Sequence, residues 1–246
     1  ARLRRRGQIK RYPDGMFFGY RGAEPFANSV EHSMPSARTT LPLIAMAALV
    51  TGFLAPSVGQ AGAPWTVTKQ SWSNDDETAF SEWVQKIGES RCNTVNKCLS
   101  GPANYLASSE EKKTYSFVAD CGRYPFLLRA YFAWKRGLPF SVVSKVASAD
   151  GSDRDIRYSP NGNVPVERRD FLGASDGEKA VKAAASAVFT AVYRMDPGLD
   201  SSGAGKPFPD FYSPKIARDS IRPGTVMYDP SGHAAIVYKV EDNGQV

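Results

Sequence analysis

Apolar residues at Ala79, Phe80, Trp83, Val84 and Ile87 recur at helical spacing and predict an amphipathic helix. Ser73 or Asn74 caps it, acids at 75–77 fill its first turn, and Asn74 and Glu77 stand at capping-box spacing. Gly88 lies near its end. From about Tyr124 to Arg136 the pattern changes: Phe126, Leu127, Leu128, Ala130, Tyr131, Phe132, Ala133 and Trp134 leave little polar face. Such a helix belongs inside a protein. Gly137 and Pro139 stop it, and "TYSFVAD" leads into it as a short extended piece. "FSVVSKVAS" (140–148) then reads as a strand, and 149–177 as an irregular polar excursion holding a short hairpin. Ser175 and Glu178 repeat the capping-box spacing. The helix after them carries Val181, Ala184, Ala185, Val188 and Val192 on one face and ends near Met195. A long loop covers about 196–215. "RPGTVMYDPSGHAAIVYKV" supplies two strands joined at Asp229–Gly232. The expected class is α+β, with a buried helix against a small antiparallel sheet.

Charge divides the 246-residue chain unevenly. The formal net charge is +6, but residues 1–33 hold seven Arg/Lys against three acids and 34–63 add Arg38. Residues 64–246 are left near neutral, without the electrostatic footprint that nucleic acid requires. Residues 34–63 have a Met, one Arg, an apolar run from Leu41 to Ala55, and a small-residue end, "GQAGA". That is the three-part pattern of a secretory signal peptide, with cleavage expected after Ala61 or Ala63. The run is short for a membrane span, so no stable anchor is expected after processing. Residues 1–33 then read as an unstructured basic arm or a mis-assigned start. Residues 64–246 read as one domain, cut short at its C-terminus: "HAAIVYKVEDNGQV" stops where another strand should begin.

An exported, periplasmic or extracellular protein uses cysteines in disulfides. Cys92 and Cys98, six positions apart in "RCNTVNKC", are expected to bridge locally, which leaves Cys121 as the free thiol. It lies just before the buried helix, where backbone N–H groups favour a thiolate; Asp120 and Pro125 moderate that effect. A base is therefore needed. His32 lies upstream of the signal peptide, so His233, opening "HAAIVYKV", is the candidate. A free cysteine at a helix start and a histidine at a strand start form the pair that nucleophilic cysteine catalysis requires. One histidine and one free cysteine are too few N/S ligands for structural zinc, and no metal or cofactor is implied.

"DCGRYPFLLRAYFAWKRGLPFSVVS" and "RPGTVMYDPSGHAAIVYKV" resemble the papain-like thiol hydrolase fold in its NlpC/P60-like and bacterial transglutaminase-like branches. The resemblance covers about 117–148 and 221–242. It implies a central helix opened by the nucleophile and a sheet strand opened by the base. It departs in the long Cys121–His233 separation and in Gly122-Arg123, where Ser-Gly is usual. The implied activity is cleavage or transfer at an amide, with peptide or cell-wall peptide as substrate. The alternative is a catalytically inert binding or structural module on the same fold, with Cys121 buried. Asp229 and Asp242 are the possible orienting residues for the imidazole, although a partner beyond Val246 is the stronger expectation. The Cys121 backbone N–H is the default oxyanion donor, with Tyr115 and Tyr124 as further possibilities.

Overall fold

The computed structural model describes residues 17–20, 62–148, 151, 163–188, 209–212, 214, 217, 220–229 and 233–242. In chain order the elements are β1 (Phe17–Tyr20), α1 (Asn74–Glu89), α2 (Val95–Ser100), α3 (Ser109–Thr114), α4 (Tyr124–Arg136), β2 (Phe140–Ser148), β3 (Asn163–Phe171), α5 (Gly177–Ala187), β4 (Phe211–Tyr212), β5 (Val226–Asp229) and β6 (His233–Ile236). The protein is mixed α and β, with two small antiparallel sheets.

Ser73 caps α1, one residue ahead of the spacing favoured by Asn74 and Glu77. Its hydroxyl accepts from the Asp76 N–H, and the Asp76 carboxylate accepts from the Ser73 N–H at 3.1 Å. Asp76 serves here because its shorter side chain is also held by Lys69, 2.5 Å away. Glu77 is thereby free to pair with Arg129. Phe80, Trp83, Val84 and Ile87 face inward as the periodicity requires.

Helix α4 is the axis of the core. Every residue from Pro125 to Trp134 is buried. Trp83 stacks on Tyr131 with centroids 5.6 Å apart. The helix admits one buried charge, Arg129, whose guanidinium lies 3.5 Å over the Trp72 ring and forks onto Glu77. A planar, weakly hydrated cation suits that position, where an ammonium would be costly. Gly137 ends the helix at φ 63, the left-handed conformation that favours glycine. The carbonyls just beyond are taken by indole N–H donors: Trp65 to Leu138 at 3.0 Å and Trp72 to Pro139 at 2.8 Å. Trp65 also bridges to Ala174, and Ala63 accepts from the Gly177 N–H at 3.0 Å, so the stretch after Gly62 belongs to the fold.

Among the described residues, the excursion expected over 149–177 with a short hairpin contains a nine-residue strand. β3 pairs with all of β2, from Phe140↔Phe171 to Ser148↔Asn163. Its polar sequence hid it. "NVPVERRDF" buries only Asn163, Pro165 and Phe171, and Pro165 is tolerated because the sheet has two strands and therefore open outer edges. Helix α5 is capped by Asp176, whose carboxylate accepts from the Lys179 N–H, and not by Ser175. It ends at Ala187; Val192 and Met195 lie outside the described residues.

The second sheet has the order β4-β1-β5-β6. The two terminal strands expected from the sequence pair antiparallel, in the register Val226↔Ile236 to Asp229↔His233. β1 comes from the segment expected to be an unstructured arm. Its four residues pair with both β4 and β5, and three aromatic residues in four give it strand propensity. Of the segment expected as a signal peptide, 34–63, residues 34–61 lie outside the described residues. No described helix is long and apolar enough to cross a membrane.

Candidate active site

Cys92 and Cys98 form the local disulfide, with Cα atoms 5.2 Å apart. The segment between them is not a simple turn: Thr94 caps α2, which carries Cys98 inward. Cys121 is the free cysteine, and it is exposed.

Two anchors present Cys121 to solvent. From Tyr115 to Val118 burial alternates in strand fashion, with Tyr115 and Phe117 inside and Ser116 and Val118 outside. The Phe117 N–H donates to Asn96 Oδ1 at 3.0 Å. Ser116 receives the Lys182 ammonium at 2.7 Å, and Lys182 also pairs with Glu178. The chain then enters a turn at 121–123 and becomes α4. Asp120 closes that turn: its carbonyl accepts from the Tyr124 N–H at 3.0 Å, and its carboxylate from the Arg123 N–H at 2.8 Å. The Arg123 guanidinium lies 3.7 Å from the same carboxylate, which partly offsets a negative charge next to the thiol. Among the described residues nothing accepts the Cys121 backbone N–H, so it is available to a developing oxyanion.

The two aromatic candidates separate. The Tyr115 hydroxyl is inside the core, 3.1 Å from the Tyr131 hydroxyl, which accepts from Asn104 at 2.7 Å. Burial and the neighbouring Tyr131 hold its phenol far above the usual range, and burial pushes Tyr131 up to about 12. Tyr115 is thus committed to an internal hydrogen-bond network. Tyr124 is half-buried at the first position of α4, and its hydroxyl has no hydrogen-bond partner among the described residues. Burial raises its pKa, so it remains a donor at neutral pH.

His233 is exposed at the first position of β6. Asp229 is its direct register partner across the hairpin. Asp242 is exposed in a turn six residues beyond the strand. No hydrogen bond joins Cys121 to His233 among the described residues. Tyr131 and Trp134 are buried, as expected for residues behind the nucleophile.

The polar pattern concealed one further buried acid. Asp210 is buried, accepts from the Val143 N–H at 2.9 Å, and pairs with Arg168 at 2.7 Å. It fixes the start of β4, where Phe211 packs edge-on against Phe126 in the first turn of α4. The signal available for it was an acid set between Pro209 and Phe211 in the aromatic-rich "FPDFY". The segment expected as a long loop is therefore tied, at Asp210 and Phe211, to β2 and α4.

No family model matches the chain, and neither do curated proteins or solved structures.

Proposed function

We propose that the protein is an exported, cysteine-dependent amide hydrolase or acyl transferase of papain-like architecture, with Cys121 as nucleophile and His233 as base. The observation that carries this reading is the exposure of the free Cys121 thiol at the approach to a buried helix, beside its own unpartnered backbone N–H. His233 takes the thiol proton as sulfur attacks a carbonyl carbon, and returns it to the leaving amine. The Cys121 N–H, with the Tyr124 hydroxyl, receives the carbonyl oxygen as it gains charge. Asp229, placed opposite His233 by the hairpin, is the candidate orienting group. A peptide, including cell-wall peptide, is the substrate class.

The rival reading, an inert module on the same fold, calls for a buried thiol, and the thiol is exposed. Iodoacetamide labelling of the native protein tests the proposal. We expect Cys121 to react at neutral pH, and His233→Ala to slow that reaction. A thiol that labels no faster than an unperturbed cysteine, with no dependence on His233, removes the catalytic claim.

A further inference from the structure

Burial alternates from Tyr115 to Val118 in the manner of an extended chain, and among the described residues no strand pairs with this segment. Val118 is 86 % exposed, unusual for an apolar β-branched residue. Neither Val118 nor Ala119 makes a backbone hydrogen bond among the described residues. The segment is nevertheless fixed, because Phe117 is buried and its N–H is held by Asn96. Successive residues of an extended chain direct their N–H and C=O groups to opposite edges. With the Phe117 N–H turned toward α2, the N–H and C=O of Val118 are directed to the other edge.

We propose that this edge binds the substrate as an added antiparallel strand, with Val118 exchanging two hydrogen bonds with one substrate residue. The inference rests on the reading of Cys121 as nucleophile. The occupant is an extended peptide, because only a second backbone offers a donor and an acceptor at the matching spacing. At about 3.3 Å per residue, Val118 lies roughly 10 Å from Cys121 along the chain. The paired substrate residue is therefore two or three positions from the bond that is cut. The exposed Val118 side chain favours a small apolar neighbour over a charged one. Specificity would then sit in the chain leading into the nucleophile.

The test uses an acetyl-Ala-Val-Ala chloromethyl ketone and the same reagent N-methylated at its central residue. We expect the unmethylated reagent to inactivate Cys121 about tenfold faster, the value of one to two good hydrogen bonds. That ratio should fall toward one in Val118→Pro, which lacks the N–H, while iodoacetamide still labels Cys121 at the wild-type rate. Should Val118→Pro fail to fold, Val118→Asp at the same exposed position should slow the unmethylated reagent. A ratio near one in the wild-type protein overturns the proposal. A second readout does not use the thiol. In Cys121→Ala protein, acetyl-Ala-Val-Ala-amide should shift the Val118 backbone amide resonance, and its N-methyl analogue should not. Absence of that shift overturns the proposal too. An inert thiol combined with a clear shift would sink the catalytic reading alone.

Discussion

Asp229 and His233 are register partners, the last pair of the β5–β6 ladder. Cross-strand partners are the closest neighbours a sheet provides. We expect His233→Ala to slow iodoacetamide alkylation of Cys121 at pH 7 by roughly tenfold or more, through loss of thiolate. Asp229→Asn should give a smaller loss and alter the pH profile of the reaction. Because His233 is exposed, its removal should leave the melting temperature nearly unchanged, within about 0.5 kcal/mol of stability. Equal alkylation rates in all three proteins would detach the hairpin from the chemistry.

Asp76 gives the fold a pH dependence of known sign. Burial alone would raise its carboxyl, but hydrogen bonds from Lys69 and Ser73 outweigh that and hold it below the ordinary value of 3.8. A carboxyl whose folded pKa is lowered contributes stability above the unfolded value, and that contribution is lost as pH falls through the folded one. Urea midpoints should therefore drop between pH 6 and pH 3. Asp76→Asn, which keeps one acceptor oxygen for the cap but loses the charge paired with Lys69, should cost about 1–2 kcal/mol at pH 6 and show a shallower decline.

The Cys92–Cys98 bridge closes a short loop, and its chain-entropy contribution is about 2 kcal/mol. A Cys92→Ser, Cys98→Ser double variant should melt several degrees lower yet remain folded, since α1 and α4 carry the aromatic core without it. Unfolding followed by near-UV circular dichroism would report both points. Collapse of the tertiary signal at room temperature would show the bridge to be essential.

Gly177 abuts the indole of Trp134, and a methyl group there would overlap ring atoms. The same indole donates to the Pro64 carbonyl at 3.2 Å, so it cannot move away freely. We expect Gly177→Ala to cost about 1–3 kcal/mol despite alanine's better helix propensity. A stabilised variant would mean that the α4–α5 contact is looser than described.

The two cleavage positions considered for export are not equivalent. Ala63 accepts the Gly177 N–H at the start of α5, a bond that processing after Ala63 would remove. Processing after Ala61 keeps it and leaves Gly62 beside Asp176. On the proposed reading of export, the processed protein should therefore begin at Gly62 by N-terminal sequencing; a start at Pro64 would contradict this.

Strong periodicity made the core legible. Helix α4 runs over the predicted residues because its apolar side chains and Gly137 leave no other solution, and the terminal hairpin keeps its register because alternation and turn chemistry agree. What was hidden depended on tertiary partners. β3 is polar because β2 covers one edge and few of its side chains reach the core. Asp176 and Asp76 took capping roles where local spacing offered Ser175 and Glu77 equally. At the site, the positions of Cys121 and His233 in their elements could be read directly. The inward turn of Tyr115 could not, since it depends on Tyr131 and Asn104, which are distant in sequence.

β1 lies between β4 and β5, and it is encoded upstream of Gly62. A polypeptide that begins at Gly62 has no such strand. Its β5 would present a bare row of amide and carbonyl groups on the side away from His233, and β4 would lose the one strand partner it has among the described residues. Bare rows of this kind template unwanted pairing between molecules. On the proposed reading of export, precursor and processed forms would thus differ in self-association as well as in length.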